Sequence, residues 1–171
     1  MPCPSHHPVS LRRVTPEGKT HQPTQPSILT ALPILTTLRY FDRVPELAYI
    51  SPFFIVSDVR HSATFYNDIL GFEVQLMVPQ DEPFFAIVGR DGVRITLKAI
   101  DPATPPQPNW QRHDFARWDA FVGTSDPDAL ASEFKARGAC FREALADHDD
   151  GLRGFAVYDN DEYVLFFGRP V

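Results

Sequence analysis

The sequence predicts an α+β protein: two tandem βαβββ modules whose curved sheets enclose a cleft, with a disordered N-terminal extension. The strongest reason is an internal repeat. Asp58 opens one helix and Asp126 another 68 residues on; Gly71 and Gly138 close them, 67 apart. The hairpin turns Asp91-Gly92 and Asn160-Asp161 stand 69 apart. A helix cap, a helix stop and a turn have unrelated physical jobs, so their keeping step marks a duplicated unit. The second reason is a break in composition near residue 46. Residues 1–46 hold eight of the seventeen prolines and one of the fourteen phenylalanines. They carry five basic and three acidic residues, net +2, against eleven basic and nineteen acidic in residues 47–171, net −8.

Each element has its own warrant. Phe53–Val56 is a short apolar, partly β-branched strand. Asp58 is an N-cap, Val59, Ala63, Tyr66 and Leu70 recur at helical spacing, and Gly71 fits a C′ stop that needs positive φ. Phe72–Val78 returns as a strand, and Phe84–Val88 and Val93–Ala99 flank the Asp91-Gly92 turn signal. In the second module, residues 121–124 form the strand and Asp126-Pro127 supplies a cap plus an N1 proline. Leu130 and Phe134 line the helix before Gly138, and Phe155–Tyr158 with Tyr163–Phe167 make the last hairpin. Between the modules, residues 101–117 form a linker with four prolines.

The first 27 residues have almost nothing to bury, so ordering them would not repay the backbone entropy, and residues 1–46 read as an extension outside the 47–171 domain. Residues 28–38 are broken by Pro33 and come late for a signal peptide, and they are too short to span a bilayer. The net charge of −6 argues against nucleic acid, whose phosphates need clustered Lys and Arg. Cys3 and Cys140 make no ligand spacing; a disulfide scaffold is not expected, and a reducing cytoplasm fits.

The string SPFFIVSDVRHSATFYNDILGFEV, with Asp58-Val59, Phe65-Tyr66 and Leu70-Gly71-Phe72, resembles the opening of the vicinal oxygen chelate superfamily. That superfamily includes glyoxalases, ring-cleaving dioxygenases and bleomycin-resistance proteins; TSDPDALASEF and GLRGFAVYDNDEYVLFFG look most like the last. The resemblance covers residues 47–171 and implies a small-molecule cleft, completed in such relatives by a homodimer. It also implies four metal positions, which counting from the motifs places at Ser51, Thr96, Asp119 and Phe166. One carboxylate among hydroxyls and a phenyl ring cannot hold zinc, iron or manganese, so the expectation is a protein without metal or other cofactor. The turn departs from the family's Asp-Pro-Asp-Gly, and Asn160 is expected to supply part of the left-handed turn chemistry.

Alternation assigns the cleft face. With Thr96, Asp119 and Phe166 inward, so are Phe53, Arg94, Lys98, Phe121 and Val164, and Phe85 joins them. Phe155 with Arg153 is expected to border the mouth, and Trp110, Arg112 and His113 to form a lid over a planar ligand, with plain core packing as the alternative for Trp110. Trp118, by parity, faces the helix side; His61 and the acidic loop around His148 read as solvated surface. The function these readings favour is metal-free binding of an aromatic antibiotic or metabolite by a cytoplasmic homodimer. The alternative is a glyoxalase- or dioxygenase-like enzyme with an atypical metal site or with Asp119 as base.

Overall fold

The computed structural model describes residues 47–171, and the expectations for residues 1–46 lie outside them. The element order is β1 (Phe53–Ile55), α1 (Val59–Asp68), β2 (Glu73–Val78), β3 (Phe85–Arg90), β4 (Val93–Lys98), α2 (Asn109–Arg112), β5 (Ala120–Gly123), α3 (Pro127–Ala136), β6 (Cys140–Asp147), β7 (Leu152–Tyr158) and β8 (Val164–Pro170). Two four-stranded sheets result, ordered β1-β4-β3-β2 and β5-β8-β7-β6. In each, the first strand pairs parallel with the last while the other pairings are antiparallel. This is βαβββ twice.

The predicted punctuation forms as its chemistry requires. Asp58 and Asp126 each accept, through Oδ1, the backbone N–H three residues on. Gly71 and Gly138 have φ of +70° and +86°, the left-handed stop that a Cβ would penalise. Asp91 and Gly92 are both at positive φ, the twist-matched geometry of a two-residue hairpin. The second turn differs from expectation: Glu162, and not Asn160, takes the left-handed conformation, φ 66°. Asp159 causes the change. Its Oδ1 accepts from the N–H groups of Asp161 and Tyr163, winding residues 159–163 into a longer loop.

One core serves both modules. Ile95 and Leu97 from β4, Val88 from β3, and Val59, Ala63 and Tyr66 from α1 join Phe134 from α3 and Phe155, Val157, Leu165 and Phe167 from β7 and β8 in a single buried cluster. Polar links tie the same sides together. The Tyr66 hydroxyl donates to Asp159 Oδ2 at 2.9 Å and Ser62 donates to Asp161 Oδ2 at 2.9 Å. Arg90 forks onto both oxygens of Glu133, at 3.0 and 2.8 Å. Tyr163 stacks on Phe54 with ring centroids 4.3 Å apart and donates to the Ile55 carbonyl. With the helix-bearing sides spent on this core, the opposite face of each sheet is left to meet something else.

Cys140 is disulfide-bonded, where the sequence reading did not expect a disulfide. This removes the cysteine-usage argument for a reducing compartment. Among the described residues no helix is long and apolar enough to cross a membrane.

Candidate ligand-binding site

The strand pairings fix which side chains share the two open faces. In the first sheet Phe53 lies opposite Thr96, Thr96 opposite Ile87, Arg94 opposite Gly89 and Lys98 opposite Phe85. Because neighbours 95 and 97 enter the core, residues 94, 96 and 98 all look the other way. In the second sheet Phe121 lies opposite Phe166, and Phe166 opposite Ala156. Phe53 and Phe121 therefore occupy equivalent positions, and both remain half-exposed, at 54% and 50%. The counting that equated Thr96 with Phe166 is matched by these parallel registers.

The two faces differ in chemistry. The second is paved with aromatic rings: Trp118 stacks on Phe166 at 4.1 Å, and Phe121 stacks on the same ring at 5.5 Å. Trp110 meets Tyr158 edge-on at 6.1 Å and donates through Nε1 to the Glu162 carbonyl. Arg142 sits over Trp110 and Arg117 over Trp118. Phe166 is fully buried beneath this layer, a floor and not a contact surface. Trp118 corrects the parity argument, which placed it on the helix side. It precedes β5, so strand alternation does not reach it, and its ring folds over the open face. His148, read as solvated, also belongs here, 5.5 Å from the Phe166 ring with Nε2 against the Gly154 carbonyl.

Phe155 is a second correction. Its partner in the hairpin is Phe167, so it faces α3 and is fully buried against Phe134. Arg153 points the same way and pairs with Asp128 of α3. His113 lies apart from the faces, exposed in a turn where Nδ1 accepts the Phe115 N–H.

A recess of about 510 Å³ collects other candidates. Phe53 and Ile55 from β1, Tyr163, Gln107 from the linker, Arg112 from α2, and Asp119 line it. Asp119 shapes this recess. Its Oδ1 accepts the Asn109 N–H that begins α2 and its Oδ2 accepts the Val164 N–H, both at 2.8 Å. Burial raises its pKa above the usual carboxylate value, opposed by those two N–H groups and by Arg142 and Arg112. A carboxylate with both oxygens engaged by backbone N–H groups is a fastener for the linker, and a poor general base.

The four positions where a divalent metal is expected do not fit one. Ser51 Oγ and Thr96 Oγ1 share a hydrogen bond of 3.0 Å, Asp119 is committed to backbone, and Phe166 is a buried ring. His148, the imidazole beside Phe166, has Nε2 against the Gly154 carbonyl, and among the described residues no three His, Cys, Asp or Glu side chains cluster for a metal.

Paired βαβββ modules with a common core and open concave faces define a class of cleft-forming proteins. Residues 46–167 match the Glyoxalase/Bleomycin resistance protein/Dioxygenase superfamily, and the chain belongs to it. Among solved structures it is similar to a glyoxalase-related enzyme from Clostridium phytofermentans (16% identity, TM-score 0.58, covering 76% of this chain and 100% of that one). It is similar also to TnmS3, an antibiotic binding protein from Streptomyces sp. CB03234 (20%, 0.55, 72% and 97%). A superfamily member from Sphaerobacter thermophilus DSM 20745 is similar at 24% identity (0.55, 71% and 97%). These likenesses show the fold. No curated protein sequence matches the chain.

Proposed function

We propose that this protein binds a small, planar aromatic molecule, an antibiotic or metabolite, without a metal, and that two copies complete the clefts. The observation that carries the reading is the pair of half-exposed rings, Phe53 and Phe121, at equivalent positions of the two open faces. Covering such a ring removes apolar area from water, which favours a partner that can lie flat on it. A flat ligand does so with little loss of its own freedom, and ring stacking contributes roughly 0.5–1.5 kcal/mol beyond area burial. The antibiotic-binding description of TnmS3 supports the same reading by likeness of fold. Catalysis finds less support, because Asp119 is bound to backbone and the metal positions hold no adequate donors.

The test is a thermal-shift screen of aromatic antibiotics and metabolites, followed by calorimetric titration, sedimentation and metal analysis of the protein as purified. Saturable binding of a flat aromatic to a dimer, weakened about tenfold by Phe121→Ala, is expected. One firmly bound transition metal per chain, with turnover abolished on chelation, would overturn the reading in favour of an enzyme.

A further inference from the structure

The first sheet's open face carries a charge pattern at odds with the rest of this acidic chain. Arg94, Thr96 and Lys98 form a row along β4, and alternate residues of a strand stand roughly 6.6 Å apart, so the two cations bracket the hydroxyl over roughly 13 Å. Thr96 is joined by Ser51, 3.0 Å away. Among the described residues neither cation pairs with an acid. The ion pairs of the described residues engage Arg90, Arg117, Arg137 and Arg153, and neither Arg94 nor Lys98. Arg94 rests instead on the Tyr49 ring, 4.2 Å from its centroid. Register brings Glu73 to the same face, beyond Gly89 on the edge strand, without an ion pair to Arg94. Around the row stand Phe53, Phe85 and Ile87. In a chain of net charge −6, two cations without an acid among the described residues, flanking paired hydroxyls among aromatic rings, are complementary to one kind of guest.

We infer that the ligand is an aromatic anion, its ring system against Phe53 and Phe85 and its carboxylate or phosphate on the Arg94–Thr96/Ser51–Lys98 row. This rests on the small-molecule reading above and adds the charge of the ligand to it. A guanidinium presents paired donors matched to a carboxylate or phosphate, the ammonium adds a point charge, and the hydroxyls give hydrogen bonds that a bare ring cannot use. The surrounding apolar surface lowers the local dielectric and strengthens each of these contacts. A cationic drug on this face would meet like charge twice over.

The experiment titrates the full-length protein with four matched probes: 2-naphthoate, 2-naphthyl phosphate, neutral 2-naphthamide and cationic 2-naphthylmethylamine, each at low and high salt. Inorganic phosphate is the ring-free control. The expected result is at least tenfold tighter binding of one or both naphthyl anions than of the amide, a loss of that advantage in Arg94→Gln or Lys98→Gln, and its shrinkage at high salt. Whichever anion binds tighter identifies the acid. Equal or tighter binding of the amide or the amine would overturn the charge assignment and leave the aromatic-ligand reading standing. Failure of all four naphthyl probes, with no hit in the wider screen, would sink both. Inorganic phosphate binding as well as the naphthyl anions would show that the face holds an anion without its ring, against the inference. Because the probe series changes charge on the ligand alone, the answer does not depend on how well either variant folds.

Discussion

Replacing Tyr66 by Phe removes one oxygen from the place where the two modules lock. The Tyr66 hydroxyl is fully buried and donates to Asp159 Oδ2 at 2.9 Å, and Asp159 is itself buried at the base of the β7–β8 loop. The other carboxyl oxygen already takes two backbone N–H groups, so no spare donor can turn to replace the phenol. A hydrogen bond to a charged group contributes about 1.5–3 kcal/mol, and one between neutral groups about 1. Burial pushes the Asp159 carboxyl up to about 7, opposed chiefly by the Tyr66 hydroxyl, with the charge of Asp161 adding to the rise. The folded pKa thus lies above the unfolded carboxylate value of about 3.9. The folded protein holds more protons across that window, and this group's contribution to stability falls as pH rises from about 4 to about 7. Above 7 the carboxylate is charged in both states and most needs the phenol.

The loss in Tyr66→Phe is accordingly pH-dependent, near 1 kcal/mol at pH 5 and about 1.5–3 kcal/mol at pH 8. For a domain of this size each kcal/mol shifts Tm by roughly 4 °C, giving about 4 °C at pH 5 and 6–12 °C at pH 8. Circular-dichroism melts of wild type and variant at both pH values measure the two gaps. A gap equal at pH 5 and pH 8 would refute the coupling of Tyr66 to an ionising Asp159. A gap below about 1 °C at both would mean that the hydroxyl contributes nothing at the module interface.

Three further outcomes follow from named contacts. A Cβ at Gly71 would stand 2.8 Å from Arg90 Nη1, whereas one at Gly138 meets nothing within 4 Å. Gly138→Ala should therefore cost about 1 kcal/mol from the left-handed backbone alone, and Gly71→Ala measurably more in urea unfolding; equal losses would show that Arg90 simply moves aside. Phe155→Ala should destabilise by about 3–5 kcal/mol as a buried core truncation, against well under half that for half-exposed Phe121→Ala, whose effect should appear in ligand affinity. Trp110→Ala should lower Tm as well as affinity, because its indole is bonded to Glu162 and packed on Tyr158; an unchanged Tm would restore the picture of a free lid.

The sequence made the architecture legible because its signals are local. Asp58, Asp126, Gly71, Gly138 and Asp91-Gly92 each act on backbone within a few residues, and a repeat states them twice. Strand alternation likewise found the faces of Phe53, Thr96, Phe121 and Phe166. What alternation could not do was carry a face across a break in the strand. Trp118 stands before β5 begins, and the face of Phe155 depends on its pairing with Phe167, a register set by a turn that the sequence mislocated. Asp119 is a different case: its position was legible, but its two backbone partners come from residues 10 and 45 positions away. No pattern in the chain announces such a contact. Strand β6 hides for another reason, since it is an edge strand with two irregularities in its pairing and a sequence in which apolar and polar residues do not alternate.

The unequal treatment of the two faces is the physical link between this fold and the proposed function. Both modules spend their helix-bearing sides on one core, so each sheet keeps a face that the chain alone must fill or leave. On the second sheet the chain fills it: Trp118, Trp110 and Phe121 cover Phe166 and Tyr158, with Arg117 and Arg142 laid over the indoles. On the first, no such layer exists among the described residues: the hydroxyls of Ser51 and Thr96 pair with each other, and Arg94 and Lys98, without an acid among those residues, share the face with half-exposed Phe53. Duplication began with equivalent positions, as the Phe53–Thr96 and Phe121–Phe166 registers still record. With a ring at one of those positions and a hydroxyl at the other, the two faces present a wall and a polar seat. A wall that stacks and a seat that bonds are what discrimination among flat, charged molecules requires.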